Sequence, residues 1–320
     1  MFEMLNWLLM ILPFALWGTA MAAMAPLVQS GGPEIVAFLR LMPAGFAVIL
    51  TLLILKRPLT IAKGDLAWFV VFTLIDGTVF QFLLARGLLE TGAGLGSVFI
   101  DSQPLIVAIL ARSLFGDAIN PVGWSGLMLG LGGIICLGVS PEFISQWLLM
   151  GDVVSEGSLF SHGQGWMLGA AIAMALGTVL IRFTCKESDP VAVTGWHMLL
   201  GSVPLLTWHI FDKSWPLWPD WSIVQWSFMG YASLFGGALA YGLFFWFANK
   251  KELTSFTTLA FLTPVFALIS GGIWLGERLL FLQWIGAGLV LISVFLVSQR
   301  NRLWESLDNF QEDFKGGISK

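Results

Sequence analysis

The sequence predicts an all-helical integral membrane protein: ten transmembrane helices arranged as two inverted five-helix repeats. Three observations carry that expectation. Of 320 residues, 57% are hydrophobic and 11% charged, against about 25% charged in a typical soluble domain. A mean hydropathy of +0.83 cannot be hidden inside a water-soluble globule without large apolar surfaces. Apolar segments of about 18–22 residues, long enough to cross a bilayer, recur along the whole chain. The chain also repeats itself. "DSQPLIVAILARSLFGD" from Asp101 to Asp117 and "FLTPVFALISGGIWLGE" from Phe261 to Glu277 align without a gap, placing Pro104 on Pro264, Gly116 on Gly276 and Asp117 on Glu277. The register continues to Trp124 on Trp284 and Gly126 on Gly286.

Taken in order, the expected spans are 7–27, 35–55, 67–86, 92–112, 121–139, 166–184, 191–211, 225–248, 254–275 and 281–298. The first could pass for a signal peptide, since "AMAAMA" offers small residues after an apolar stretch. A signal peptide begins with positive charge, however, and the only early charge here is Glu3; the segment reads as a retained span. Residues 1–139 form the first repeat and 166–298 the second. Between them, 140–165 is an acidic extracytoplasmic loop whose "FISQWLLM" suits the membrane interface. Residues 299–320 form a polar cytoplasmic tail.

Orientation follows from the bias of Lys and Arg between alternate loops. One side holds Lys56, Arg57, Lys63, Arg112, Arg182, Lys186, Lys250, Lys251, Arg300 and Arg302, with Lys315 and Lys320 in the tail; the other holds Arg86, Lys213 and Arg278. The rich side is cytoplasmic, so both termini face the cytoplasm and the tryptophan-rich "SWPLWPDW" lies outside, in an interfacial belt. An odd number of helices per repeat turns the second copy upside down. The earlier helices also correspond: Gly18-Thr19 with Gly177-Thr178, Arg40 with His197 (each seven residues after a proline), Asp76-Gly77 with Gly236-Gly237, and Gln81 with Tyr241. Inverted repeats around a midplane site are a general design of secondary transporters, because exchanging the two halves' conformations switches the open side.

Other classes find little support. The formal charge of −4 lies in short loops and the tail, with no basic footprint for nucleic acid. Cys136 and Cys185 suggest no disulfide framework. His162 is near Asp152 and Glu156 but without metal-ligand spacing, and no phosphate loop or nucleophile elbow occurs. The chain is not expected to be an enzyme or to hold a cofactor or metal.

Polar groups at membrane depth are costly unless paired or hydrated, which makes each a functional candidate. Arg40 binds substrate or braces the bundle. Asp76 pairs with Arg40 or binds a proton or substrate. Asp101 precedes Ser102-Gln103-Pro104, where the proline frees a carbonyl and favours a wet site, so Gln103 belongs with it. His197, Gln81 and Tyr241 offer hydrogen bonds towards a cavity, and Trp17 stacks on a ligand ring or fills space. Two acids face one arginine across the first repeat, so either one acid is protonated at rest, which makes a proton the natural coupling ion, or the cavity is wet. Asp117 and Glu277 end helices four and nine and are expected to tie them to the following loops. Gly126, Gly130 and Gly133 thin helix five for packing, within the bundle or across a dimer.

The chain resembles the EamA family of the drug/metabolite transporter superfamily over nearly all of 7–298. The residues that carry this are "LWGTA", "FLRLMPAG", "QPLIVAILARSLFGD" and "WSGLMLGLGG" in the first repeat, and "ALAYGLFFWF", "FLTPVFALISGGIWLGE" and "WIGAGLVLISVFL" in the second. The family's Leu-Gly-Glu ending of the fourth helix stands as Leu275-Gly276-Glu277, whereas the first repeat departs to Phe115-Gly116-Asp117. The resemblance implies helices one to four and six to nine around a central cavity, with five and ten packed outside. It also implies transport of a small metabolite such as an amino acid, nucleoside or cofactor across the inner membrane, often as export; the chain is expected to act as a monomer or homodimer. A sensor or scaffold on the same fold, and a membrane-embedded enzyme, are the rival readings.

Overall fold

The computed structural model describes residues 2–138, 162–212, 214–275 and 281–306. Its elements are α1 (Phe2–Gly31), α2 (Pro33–Ile54), α3 (Leu66–Phe72), a π-helical turn at Thr73–Phe80, α4 (Gln81–Ile100), α5 (Gln103–Phe115), α6 (Pro121–Gly138), α7 (His162–Thr184), α8 (Pro190–Phe211), α9 (Ile223–Ser233), a second π-helical turn at Leu234–Leu239, α10 (Ala240–Lys250), α11 (Leu253–Thr257), a 3-10 turn at Thr258–Leu262, α12 (Thr263–Leu275) and α13 (Phe281–Ser298). No strand occurs among the described residues.

Local chemistry sets the boundaries. α1 gives way to α2 at Gly32, whose φ of 97° lies in the left-handed region, and Pro33 then opens α2 where its missing N–H costs nothing. α5 stops at Gly116, also left-handed with φ 70°. α8 starts on Asp189, whose side chain accepts from Val191 N at 2.8 Å, and α9 on a reciprocal Ser222–Gln225 capping box.

Six helices among the described residues are long and apolar enough to cross a membrane: Leu5–Gly31, Pro33–Ile54, Leu66–Thr91, His162–Thr184, Pro190–Phe211 and Ile223–Lys250. A seventh appears if Trp284–Ser298 and Arg300–Ser306, bent by 74°, count as one span; Gln103–Phe115, Pro121–Cys136 and Leu253–Ala267 are shorter apolar helices. The expected loop near 87–91 is absent: helical backbone runs on through Ile100, and the break falls at Asp101–Ser102. The reason lies in Pro104, which cannot donate to the carbonyl a turn earlier and so moves the break next to itself. Arg86 does not open a loop either, because Glu34 and Asp212 neutralise it on the helix.

Packing joins the two halves. α2 lies against α8, α4 against α7, and α6 against α13. The first π turn packs on α7 and α8, and the second on α1 and α2. At the first, Gly77 and Gly201 touch backbone to backbone, and a Cβ on Gly201 would stand 2.6 Å from the Gly77 Cα. Gly126, Gly130 and Gly133 face α13 at Val297, Ser293 and Val290, so these glycines serve packing inside the bundle. Clasps tie opposite ends of α2 to the second half. At its start, Arg86 bonds Glu34 at 2.6 Å and Asp212 at 3.1 Å. Past its end, Arg57 meets Asp189 at 2.5 Å.

Candidate functional site

Arg40 lies about two turns into α2 and is 3% exposed. Its guanidinium stands over the Tyr241 ring at 5.6 Å. It donates to Gln81 Oε1 at 3.4 Å and to the Gly236 carbonyl at 3.5 Å. Both contacts exceed the usual 2.7–3.2 Å or so, and Nε has no partner. Gly236 belongs to the second π-helical turn. Its carbonyl also accepts from Trp17 Nε1 at 3.0 Å. Gln81 donates in turn to the Tyr241 hydroxyl at 2.8 Å. Two residues 160 positions apart thus meet directly, each in the first turn of the helix that follows a π turn.

Beside this network is a small cavity whose wall includes Trp17, Arg40, Asp101, Gln103 and Tyr241, five of the residues the sequence singles out. Its lining pairs Ile100 with Ala260, and Gln103 with Thr263, again 160 positions apart. Asp101 occupies the break between α4 and α5, where the chain leaves one helix before Pro104 starts the next. It is 5% exposed, and its Oδ2 has no hydrogen-bond partner. Gln103 is held by its amide donating to Thr178 Oγ1 at 3.0 Å. Gln81 lines a smaller adjoining cavity that shares Arg40.

Asp76 and His197 lie elsewhere. Asp76 sits in the first π turn, and its Oδ2 is 3.1 Å from His197 Nε2, with both side chains fully buried. The ring of His197 lies against Phe72 and Phe245. Neither residue lines the cavity; Asp76 pairs directly with His197 across the repeats, and the charge of Arg40 acts on the same carboxylate from further off. The spacing explains it: Arg40 and His197 are counterparts, and each reaches the π turn of the other half, where Arg40 finds the Gly236 carbonyl and His197 finds a carboxylate. Gly177 leaves room for that carboxylate, since a Cβ there would collide with Asp76 Oδ1.

Pro104 and Pro264 hold matching places, each at the first turn of a helix that follows a distorted stretch. Asp117 lies just past the Gly116 cap, with Oδ2 buried and unpartnered and its charge facing Arg182 and Arg300. Glu277 lies outside the described residues. Cys136 and Cys185 are free thiols; burial, with Asp65 and Asp189 nearby, pushes the Cys185 thiol up. No group of three or more His, Cys, Asp or Glu that could hold a metal occurs among the described residues. Sequence reasoning missed Thr263, Phe80, Met21 and Met174 on the cavity wall. The repeat held the signal for the first, because Thr263 is the counterpart of Gln103.

The EamA-like transporter family matches residues 4–139 and 161–299. The chain belongs to that family. Among its relatives, the uncharacterized transporter sll0355 of Synechocystis is 46% identical over 299 residues, covering 92% of this chain and 90% of the relative. The WAT1-related chloroplastic protein At3g02690 of Arabidopsis thaliana is 43% identical, covering 92% and 69%. The uncharacterized transporter YoaV of Bacillus subtilis is 24% identical, covering 88% and 92%. A solved crystal structure superposes with a TM-score of 0.74 at 16% identity, covering 92% of this chain and 98% of the other, a likeness of fold. EamA membership and several apolar membrane-length helices make this a multi-pass membrane transporter.

Proposed function

We propose that this EamA protein is a proton-coupled secondary transporter that moves a small organic metabolite across the inner membrane by alternating access. The observation that carries the reading is the cavity itself. Counterpart residues from both halves face it, and it contains a buried arginine and a buried aspartate that no salt bridge among the described residues joins to a partner. A buried charge left unmatched by the fold is costly, and such groups at membrane depth mark substrate and ion paths. Arg40 recognises the metabolite, and Trp17, Gln103 and Tyr241 shape its seat. Asp101 takes up and releases the coupling proton, because the other candidate acid, Asp76, is occupied by His197.

In this reading the chain crosses the membrane ten times, as inverted repeats at 1–139 and 166–298 joined by an extracytoplasmic 140–165, with 299–320 as a cytoplasmic tail. The short apolar helices supply the spans that the six long ones leave out, as discontinuous helices do at transporter midplanes. The paired π turns and the glycine contact at Gly77–Gly201 supply the backbone that the two halves rock upon.

Purified protein screened against a metabolite panel by thermal shift in detergent should yield a stabilising ligand, and that ligand should exchange across proteoliposomes. Ligands that stabilise the protein yet never cross would replace transport with sensing. For topology, a reporter active only in the cytoplasm and fused after Lys320 should work. Silence there, with a periplasmic reporter working at the same place, would refute the ten-span reading.

A further inference from the structure

We propose that Asp117, Arg182 and Arg300 form the cytoplasmic gate of this transporter, and that Arg182 changes partner, from the carbonyls of α10 to Asp117, as the gate opens. The inference rests on the transport reading and its topology, and adds the device that decides when the cavity meets the cytoplasm. Four elements around the cavity lead to it: α5 with Gln103, α7 with Met174, α10 with Tyr241, and the 3-10 turn with Ala260. Followed away from the cavity to their cytoplasmic ends, the same four meet again. α5 stops at Phe115 and the left-handed Gly116, which leaves Asp117 just past the cap. α7 carries Arg182 in its last turn. α10 ends at Lys250, and α11, which leads into the 3-10 turn, starts after Glu252.

The bonds at this level hold the gate shut. The Arg182 guanidinium lies over the Phe115 ring at 4.9 Å. Its Nε donates to the Ala248 carbonyl at 3.3 Å, and its Nη2 to the Lys251 carbonyl. Carbonyls at a helix C-terminus lack intrahelical donors and attract a cation. Arg300, 2% exposed, is the fixed post. Its Nη1 donates to Ser255 Oγ at 2.7 Å, its Nη2 pairs with Glu252, and its own carbonyl accepts from Asn120 at 2.9 Å. The charge of Asp117 acts on both arginines. Yet no salt bridge among the described residues reaches Asp117, and its Oδ2 is buried without a hydrogen-bond partner. Arg182 therefore has two alternatives. When the end of α10 parts from α7, its carbonyl bonds break. Asp117, held on α5 where that helix packs against α7, then takes the freed guanidinium in a charge-assisted pair. Arg300 does not compete, because Glu252 already occupies it. The exchange offsets the lost bonds and keeps the closed and open states close in free energy.

Thiol labelling of the full-length protein tests this without a known substrate. With Cys136→Ser and Cys185→Ser as background, Met174→Cys places a single thiol on the cavity wall. A membrane-impermeant maleimide, added to inside-out or right-side-out vesicles, reads its exposure to each face. This parent protein should label from both faces. Asp117→Asn should slow labelling from the cytoplasmic face about 10-fold, as expected for losing a bond between charged groups, without lowering the outer rate. Asp117→Glu, which keeps the charge, should restore the cytoplasmic rate. With Arg182→Gln already present, Asp117→Asn should change nothing further, because the two residues act as a pair. Retained outer labelling shows that a variant is folded, and Asp117→Ala serves if Asp117→Asn is not. A cytoplasmic rate unchanged in Asp117→Asn overturns the gate, as does the same slowing when Arg182→Gln is present. Labelling of the parent from both faces then leaves the transport reading standing. A parent thiol that labels from fewer than two faces removes alternating access and the gate together.

Discussion

Asp76 and Asp101 are both buried carboxylates in the first half of one membrane protein, and their surroundings could hardly differ more. Asp76 lies in a π-helical turn, 3.1 Å from His197 and off the wall of the central cavity. Asp101 lies at a helix break, on the wall of that cavity, and no salt bridge among the described residues reaches it, although each acid keeps one oxygen without a hydrogen-bond partner. Burial alone does not separate them, at 0% and 5% exposure. What separates them is who supplies the partner. The fold supplies one for Asp76, making it part of the structure that joins the repeats. In the proposed mechanism the partner of Asp101 comes from outside, as ligand or proton.

The largest effect should come from removing the partner that the fold provides. His197→Ala leaves Asp76 buried alone and should cost about 3–5 kcal/mol of stability, read as a lower melting temperature without ligand. An unchanged melting temperature would mean that the Asp76–His197 contact holds nothing together. On the cavity side, Arg40→Ala should weaken ligand binding about 100-fold, on the order of 2.7 kcal/mol. Equal affinity in the two proteins would take Arg40 out of the site.

Stability should move the opposite way at the second acid. Asp101→Asn swaps an unmatched buried charge for a neutral amide and should raise the ligand-free stability by about 1 kcal/mol. A clear loss of stability would reveal a partner for Asp101 within the fold.

The smallest effect belongs to the clasp at the start of α2. The Ser214 hydroxyl, then its backbone N–H, with Arg86 adding to them, hold the Asp212 carboxyl below the usual carboxylate range. A depressed carboxylate contributes stability that is present above its unfolded value and fades as the pH falls through its folded one. Ser214→Ala should therefore move the acid loss of the clasp to higher pH, visible as a shift in melting temperature between about pH 5 and pH 3. Superimposable profiles would show that the clasp adds nothing to stability.

How much of this could be read beforehand differs between the same two regions. Both acids were visible as charges at membrane depth, and the repeat paired Arg40 with His197 and Gln81 with Tyr241. Which acid each base would reach was hidden. That choice depends on π turns at Thr73–Phe80 and Leu234–Leu239, whose single-residue register shifts leave no composition signal. The break at Asp101–Ser102 was half legible: Pro104 announced it, but Arg86 and Glu90 looked like a loop. In the structure Arg86 is neutralised in place by Glu34 and Asp212, so the helix continues past it. The apolar spans were the most legible, as 281–298 agrees with Phe281–Ser298, because bilayer thickness constrains length directly.

The central claim is that Asp101, and not Asp76, carries the coupling proton. The most direct test reconstitutes wild type, Asp101→Asn and Asp76→Asn in proteoliposomes, using the ligand found in the binding screen, and compares uptake driven by a pH gradient with counterflow exchange. The account predicts that Asp101→Asn abolishes gradient-driven uptake while counterflow remains measurable, and that Asp76→Asn, which keeps a hydrogen-bonding group towards His197, still responds to the gradient. Gradient-driven uptake that survives in Asp101→Asn would contradict it, whether Asp76→Asn then proves silent or active.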